Sequence, residues 1–389
     1  MNEVVHEGKK GCISGNCGRS HERLVCSLWQ EDQNYGRVYK PRTIVLENSK
    51  RQLGNILEDI CSDLTKICYT ISDSIDTDRH VFLRSLSVKG TVDEAETLVA
   101  LKVPSGKTVL AGNKAIQMLC WVTYFEPILE LIDSDATQSD TRKWEVQHLQ
   151  PQAQYIATMI VASFATSALS FNAGNNLSSN VVLIGLGGGS LSMFLREKFT
   201  MVNATVIEID PTVTRIAQRW FQAVNDSGHL IIVGDGRRFL EDAASKGQRF
   251  DVIFLDACGS DKLLSCPLVG FLADNVLMTI AARILSPSGA FVFNLLSEAD
   301  EEMVFEMVSY FEVSHFYLFI ISFVLKRFGM VSRLIEEANT VVACIPSKST
   351  LPTFSHPEFA GRSQRLWKDF EFDRIFGDDE QFTIVNNKN

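Results

Sequence analysis

One stretch near the middle of the chain limits the possible folds more than any other. Residues 181–190 read Val-Val-Leu-Ile-Gly-Leu-Gly-Gly-Gly-Ser, four apolar residues followed by a glycine-rich turn. A continuous apolar run is typical of a strand buried on both faces of a parallel sheet. Glycines let the backbone turn sharply and let its amides approach a ligand. Leu191, Phe194 and Leu195 follow at helical spacing, so the turn leads into a helix that directs free N–H groups at the ligand.

Apolar strands and amphipathic helices alternate from Val181 onward. This order predicts an open parallel sheet with helices on both faces. The predicted strands are 181–184, 204–209, 230–233, 251–255, 290–295, 313–319 and 340–345. The predicted helices are 150–169, one opening at Pro211, 269–285 and 298–311. We therefore expect an α/β fold with a Rossmann-like sheet of seven strands.

The flanking segments differ in character from this central region. Residues 1–40 are polar and spotted with glycine, which predicts a flexible leader. Residues 41–135 predict a small α+β accessory domain, with strands at 43–46 and 81–83, a helix over 56–67 and a hairpin over 97–111. A linker then leads into the main domain, residues 141–346, and residues 347–389 predict a tail that packs on it. Gly106-Lys107-Thr108 resembles the end of a phosphate-binding loop, but Leu101 stands where that motif needs glycine, so we expect a hairpin turn.

Composition excludes several classes of function. The 389 residues carry 37 Lys+Arg against 47 Asp+Glu, a net charge of −10 that argues against a nucleic-acid partner and leaves room for a basic one. The apolar run 316–325 is too short to cross a bilayer, which needs about 20 residues, so we expect no membrane partner.

The nine cysteines are scattered along the chain, and no secretory signal opens it, so we expect reduced thiols in a cytoplasmic protein. Cys12 and Cys17 match no standard zinc spacing, and we expect no metal.

The residues after each predicted strand carry the chemistry, because ligands bind at the carboxyl ends of strands in an open parallel sheet. They are Gly185, Gly187, Gly188, Gly189 and Ser190 after the first strand, Glu208 and Asp210 at the second, Asp235 and Gly236 after the third, and Asp256 and Asp261 after the fourth. Glu208 lies 23 residues beyond Gly185, near the spacing of about 20 for an acid that binds ribose hydroxyls. One acid at a strand end commonly caps a helix, but four strand ends in register predict a nucleoside-cofactor site.

Residues 181–295 resemble the class I S-adenosylmethionine-dependent methyltransferases of the spermidine-synthase-like branch. The resemblance rests on four motifs, at 185–189, 206–211, 233–236 and 250–256. Within this branch, the segment 183–191, Glu208 to Pro211 and Ser265-Cys266-Pro267 resemble the C-terminal module of enzymes that methylate the N-terminus of translation elongation factor 1-alpha.

This resemblance implies a role for each strand-end residue. The turn amides would hold the methionine part of S-adenosylmethionine, Glu208 the ribose and Asp235 the adenine amino group. Asp256 would face the reacting centre. An amine acceptor, either a protein N-terminus or a lysine, must lose a proton before attack, and Asp256 or Asp261 would accept that proton or orient the amine. Gln154, Tyr155 and His148 are weaker candidates for the pocket wall.

Ser190 separates the two chemistries of this branch. Aminopropyltransferases carry aspartate after the glycine triplet, where its charge suits a cofactor without a carboxylate, and Ser190 removes that charge. We therefore favour methyl transfer over aminopropyl transfer.

Two further alternatives are a catalytically inactive scaffold and an NAD-dependent dehydrogenase. The retained acids disfavour the scaffold, and Ser190 at the place of the last motif glycine disfavours the dehydrogenase. One departure from the resemblance is a stretch of about a dozen extra residues near 320–332, which is either a surface insertion or a retained intron.

Overall fold

The structure is a computed structural model of the whole chain. It describes all residues except 1–5, 9–10, 21–22, 32–41, 48–54, 77–78, 80, 91–94, 104–140, 171–177, 259–265, 272–275, 277–278, 297–315, 323–338, 347–354, 378–382 and 385–389. The chain forms two compact units. One comprises residues 1–55, 73–82 and 102–144, and the other comprises 56–72, 83–101 and 145–389.

The first unit contains a four-stranded antiparallel sheet. Its strands, in spatial order, are β1 (His6–Gly8), β2 (Gly11–Ser20), β3 (Arg23–Glu31) and β4 (Arg42–Glu47). β4 contains the strand predicted at 43–46. β1, β2 and β3 fall inside the stretch 1–40, where the sequence predicts a leader with little fixed structure, and Cys17 lies opposite Cys26 in this pairing. The division of the chain into leader, accessory domain, main domain and tail remains a prediction.

A five-stranded sheet follows in the chain. Its strands, in spatial order, are β5 (Asn55–Cys61), β6 (Cys68–Asp76), β7 (Val81–Val88), β8 (Thr97–Lys102) and β9 (Glu145–Pro151). The helix predicted over 56–67 is therefore wrong, because Ile56 to Ile60 lie in β5 and residues 62–67 turn into β6. The apolar residues there are divided between β5 and the turn that follows it. The second arm of the predicted hairpin, 108–111, lies outside the described residues.

The second unit is built on an eight-stranded sheet. Its strands are β10 (Ser179–Ile184), β11 (Val202–Glu208), β12 (His229–Val233), β13 (Phe250–Leu255), β14 (Leu285–Leu296), β15 (Phe316–Ser322), β16 (Asn339–Pro346) and β17 (Thr383–Ile384). Their spatial order is β12-β11-β10-β13-β14-β16-β15-β17. The first five are parallel, and β16, β15 and β17 join antiparallel. The sheet has one strand more than the seven expected, because Thr383–Ile384 pairs with the edge strand β15.

Helices cover both faces of this sheet. They are α1 (Gln154–Ala165), α2 (Ser190–Lys198), α3 (Pro211–Trp220), α4 (Gly236–Ser245), α5 (His356–Asp369) and α6 (Asp373–Phe376), together with a 3₁₀ turn, Val269–Phe271, and a π-helical turn, Ile280–Ile284. The described elements within the predicted helix 269–285 are these two short turns, and the helix predicted at 298–311 lies outside the described residues. Residues 286–289, predicted to end the former helix, belong to β14 instead.

Two apolar cores hold the sheet in position. On one face, α1, α2 and α5 pack around Phe164, Phe194 and Trp367. On the other face, α4 and the π-helical turn pack around Leu255 of β13 and Phe293 of β14. Besides Trp367, the C-terminal segment adds three further buried aromatic rings to the first core, those of Phe359, Phe370 and Phe372. The carboxyl ends of β10, β11, β12 and β13 are thereby fixed side by side.

Candidate active site

The glycine turn after β10 has the backbone that the sequence predicts. Gly185, Gly187 and Gly189 have φ angles of 100°, 52° and 87°, a region that other residues rarely adopt. A side chain at Gly185 would overlap the backbone carbonyl of Asp256 at the end of β13. Glycine is therefore required at position 185 by both conformation and space.

Most amides of this turn are already engaged within the protein. Gly185 N donates to Ile207 O at 2.9 Å, and Gly189 N donates to Leu186 O at 2.8 Å. Leu186 N donates to the Glu208 carboxylate at 3.0 Å. The amides of Gly185, Leu186 and Gly189 thus shape the turn.

Gly188 has a partner that no sequence motif indicated. Its amide donates to Thr97 Oγ1 at 2.8 Å, and a Cβ at Gly188 would lie 2.6 Å from the Thr97 methyl group and 2.8 Å from the Phe221 ring. The glycine at 188 is therefore explained by close packing. The amides of Gly187 and Ser190 donate to no acceptor among the described residues, so these two amides can donate to a ligand.

Ser190 opens α2 immediately after the turn. Its Oγ is buried and has no hydrogen-bond partner among the described residues. A buried hydroxyl without a partner is costly, and a polar ligand group at the helix N-terminus would remove that cost.

Glu208 lies at the end of β11, next to the turn. Its side chain is 8 % exposed, and its two oxygens accept from Leu186 N at 3.0 Å and Asp210 N at 2.9 Å. Burial raises the pKa of Glu208, while the backbone hydrogen bonds lower it. Each carboxylate oxygen has a second lone pair, so Glu208 can also accept from ligand hydroxyls.

Asp210 and Asp235 act as helix caps. Asp210 accepts from Thr212 N at 2.8 Å at the start of α3, and its other oxygen accepts from Thr65 Oγ1 at 3.0 Å. Asp235 accepts from Arg237 N at 2.8 Å at the start of α4. Capping leaves lone pairs on Asp235, so its contact with adenine stays a prediction. Gly236 packs closely against Ile184 and Phe271.

Apolar side chains beside these acids are unusually exposed. Ile209, Val233 and Leu268 are 54 %, 50 % and 41 % exposed. Ile209 follows β11, Val233 ends β12, and Leu268 lies in the segment after β13. Exposed apolar residues beside acids are suited to a ligand with a flat apolar face and polar edges.

Asp256, just after β13, is held by two side-chain donors. Its Oδ2 accepts from the Tyr155 hydroxyl at 3.2 Å, and its Oδ1 accepts from Asn294 Nδ2 at 3.1 Å. Burial raises the pKa of Asp256, and both hydrogen bonds lower it in part. Asn294 Oδ1 is buried without a hydrogen-bond partner among the described residues.

The other predicted wall residues are placed differently. Gln154 begins α1 on the same turn as Tyr155, and its backbone carbonyl accepts from Thr158. His148 is buried, and its Nε2 lies 3.9 Å from the Glu197 carboxylate. Burial, the largest cause, and nearby His229 lower the pKa of His148 to about 4. Asp261 lies outside the described residues.

Among the residues that the structure describes, four cysteines are paired, which corrects the expectation of reduced thiols for them. Cys61 is bonded to Cys68, and Cys258 is bonded to Cys266. Scattered cysteines carry no signal of pairing in the sequence, because the contact depends on the turns that bring them together. In the part of the chain that the structure describes, no group of three or more possible ligands forms a metal site, and no helix is long and apolar enough to cross a membrane.

Comparison with known proteins identifies similar methyltransferases. No family model matches the chain. It is 27 % identical over 320 residues to the eEF1A lysine and N-terminal methyltransferase homolog of Drosophila pseudoobscura pseudoobscura, an alignment that covers 78 % of this chain and 44 % of that protein. It is 38 % identical over 120 residues to the eEF1A lysine and N-terminal methyltransferase of Danio rerio, covering 30 % of this chain and 17 % of that protein. The chain spans less than half the length of these curated relatives.

A solved structure supports the fold. The crystal structure of a probable spermidine synthase from Corynebacterium glutamicum superposes with a TM-score of 0.50 at 12 % identity, covering 87 % of this chain and 99 % of the other. The Rossmann-like fold expected of residues 141–346 is therefore confirmed. The sequence similarity to the eEF1A lysine and N-terminal methyltransferases agrees with the resemblance found in the sequence.

Proposed function

We propose that this chain is an S-adenosylmethionine-dependent methyltransferase that acts on an amine, either a protein N-terminus or a lysine. Elongation factor 1-alpha is the proposed substrate protein, because the similar curated proteins are named as methyltransferases of eEF1A. A cytoplasmic location is part of the same proposal. The carboxylate of Asp256, held by Tyr155 and Asn294 beside the glycine turn, carries the proposal most directly.

The residues of the site fit S-adenosylmethionine. The buried Ser190 Oγ, which has no partner among the described residues, and the neighbouring amides suit the polar methionine end. Glu208 suits the ribose hydroxyls, because a carboxylate accepts strongly from such groups. Ile209 and Val233, both half exposed, suit the faces of the adenine ring. When bound, this cofactor supplies an electrophilic methyl group.

The chain's own residues then have defined tasks. Asp256 accepts a proton from the acceptor amine, and burial suits it to this task because a raised pKa makes it a stronger base than an exposed aspartate. Tyr155 and Asn294 each donate to one oxygen of Asp256, which fixes the plane of the carboxylate. Asn294 Oδ1, which no described residue engages, is available to accept a second N–H from the amine.

Equilibrium binding of S-adenosylmethionine tests the cofactor assignment. Glu208→Gln keeps the shape of the side chain and one acceptor oxygen but loses the charge. We expect binding by the unmodified chain and a dissociation constant at least about tenfold higher for the variant, the loss of one charge-assisted hydrogen bond. No binding, or binding unaffected by Glu208→Gln or Glu208→Ala, contradicts the assignment and favours the inactive scaffold.

Incubation of the protein and labelled S-adenosylmethionine with a cell extract tests the acceptor. The expected result is a labelled band at the mass of elongation factor 1-alpha. A polyamine aminopropyltransferase is the second candidate, since the fold is shared with a probable spermidine synthase. Transfer of an aminopropyl group from decarboxylated S-adenosylmethionine to putrescine, without methylation of any protein, would reverse the choice.

A further inference from the structure

The disulfide between Cys258 and Cys266 begins two residues beyond the proposed catalytic residue Asp256 in the chain. Cys258 is two residues beyond Asp256, and only Ala257 separates them. The carbonyl of Ala257 accepts from Leu268 N at 3.0 Å, so a backbone hydrogen bond runs next to the disulfide. Both links tie the end of β13 to the segment that leads into the turn Val269–Phe271.

The tied segment contacts the cofactor side of the site as well. Phe271 N donates to Leu268 O at 2.9 Å, and the Phe271 ring lies 3.1 Å from the position of a Cβ on Gly236, next to Asp235. Asp256 N donates to Ile184 O at 2.9 Å at the start of the glycine turn. The disulfide therefore joins two segments, one bearing Asp256 and the other packed beside Asp235.

The two sulfurs differ in access. Cys258 is exposed and Cys266 is 2 % exposed. Cys258 is therefore the residue of the pair that a thiolate from solution meets first, and Cys266 is shielded. Since exchange requires attack on a disulfide sulfur, reduction should begin at Cys258 and release Cys266 as the leaving thiolate.

We propose that Cys258 and Cys266 form a reversible redox site that controls the position of Asp256. This inference rests on the proposed function and on the proposed cytoplasmic location, where disulfides are commonly transient and regulatory. In the reducing step, the thiolate of a low-molecular-weight thiol such as glutathione forms a bond to Cys258 Sγ. The Cys258–Cys266 bond breaks, and Cys266 takes up a proton. A second thiol releases Cys258 as a thiol and leaves as part of glutathione disulfide.

The bonded state holds the end of β13 as the structure has it, with Asp256 on Tyr155 and Asn294. The reduced state loses the covalent link and keeps the Ala257–Leu268 hydrogen bond between the two segments. We therefore expect methyl transfer to be faster in the bonded state, with a change in kcat and a smaller change in the dissociation constant of S-adenosylmethionine.

The test equilibrates the full chain in glutathione buffers of graded ratio. Alkylation and peptide mass analysis report the thiols of Cys258 and Cys266, S-adenosylmethionine binding is measured by calorimetry, and methyl transfer is measured on a peptide with the N-terminal sequence of elongation factor 1-alpha. We expect kcat to fall about tenfold as these two cysteines become alkylatable. Cys258→Ser should behave like the reduced chain at every ratio. Cys61→Ser, which removes the other disulfide, should keep the response.

Two results would overturn the redox site. One is full alkylation of Cys258 and Cys266 in oxidising buffer, and the other is a disulfide that forms and breaks without any change in cofactor binding or transfer. A failure of the proposed function gives a different pattern, in which the disulfide titrates and still alters cofactor binding but no methyl transfer occurs at any ratio.

Discussion

Tyr155 and Asn294 donate to the two oxygens of one carboxylate, and this arrangement gives the site its measurable pH behaviour. In the proposed mechanism Asp256 must be ionised to accept a proton, so we expect activity to fall as the pH drops through its pKa. Burial raises that pKa, and the hydrogen bonds from Asn294 and Tyr155 lower it. The acidic limb of the rate profile should therefore lie above the range of an exposed aspartate.

Tyr155→Phe should move this acidic limb to higher pH. The variant removes a donor that stabilises the ionised form of Asp256, so its pKa rises further. The measurement is kcat/KM against pH for the unmodified chain and the variant. Thr158→Val is the matched control, because it also removes a hydroxyl from α1, one that donates to the Gln154 carbonyl. An unshifted limb in Tyr155→Phe, or an equal shift in the control, would refute the role of Tyr155.

Ile209→Ala should weaken S-adenosylmethionine binding without unfolding the protein. Ile209 is 54 % exposed, so its truncation costs little stability, but loss of apolar contact with the adenine ring should raise the dissociation constant about threefold to tenfold. Leu230 is 45 % exposed near the start of β12 and provides the control Leu230→Ala. Equal effects of the two substitutions in calorimetry would contradict an adenine contact at Ile209.

The glycine turn is the element whose structure the sequence predicted most fully. An apolar strand, a glycine series and a helical pattern are all local signals, and β10, the turn and α2 follow from them.

The substitution Gly185→Ala tests the turn. A Cβ at this position meets the Asp256 carbonyl, and φ is 100°. Gly247 also has a positive φ, 65°, but a Cβ added to Gly247 would have no atom within 4 Å of it.

We therefore expect Gly247→Ala to cost about 1–2 kcal/mol of unfolding free energy, the conformational term alone. Gly185→Ala should cost at least about 2 kcal/mol more, because overlap adds to strain. Urea denaturation of both variants measures the difference. Equal losses would show that Asp256 does not approach Gly185 as closely as the structure has it.

The partners of the site residues could not be predicted from the sequence. Thr97 is 91 residues from Gly188, Thr65 is 145 residues from Asp210, and Tyr155 is 101 residues from Asp256. Sequence periodicity reports only on residues that are close in the chain, so it cannot predict these contacts, which the fold brings about. The helix predicted at 56–67 was wrong for a local reason, because one strand and the turn after it carry apolar residues at the spacing of a helix.

At the scale of the whole molecule, buried histidines couple stability to pH. His148 and His229 are almost fully buried, and burial is the largest cause of the lowered pKa of each. The pKa of His148 is about 4 in the folded chain, against 6.5 for an ordinary histidine. Between these values the unfolded chain binds more protons, so stability is full above about pH 6.5 and falls as the pH drops toward 4.

His148→Gln should flatten this dependence. From pH 7 to pH 4 the unmodified chain should lose about 1–3 kcal/mol more unfolding free energy than the variant. The variant is therefore the relatively more stable of the two at low pH. Denaturant unfolding at several pH values measures it. A difference that does not depend on pH would mean that His148 titrates normally in the folded chain.

The parallel strands from β10 to β14 were predictable because each strand, turn and helix is encoded locally, whereas their spatial order came only with the structure. The eighth strand, the disulfides and the strands within residues 1–40 were not, because each depends on pairing between segments that carry weak signals alone. The positions of Glu208, Asp235 and Asp256 at strand ends were predictable, whereas the donors that fix Asp256 came only with the fold.

The mass of the product formed from a defined amine tests the claim that this chain transfers a methyl group with Asp256 as the base. The unmodified chain and Asp256→Asn are incubated with S-adenosylmethionine and a peptide carrying the N-terminal sequence of elongation factor 1-alpha. The claim predicts the mass increment of one or more methyl groups on the amine, and a rate at least about a hundredfold lower for the variant. Absence of methylated peptide with the unmodified chain, or an equal rate with Asp256→Asn, would contradict it.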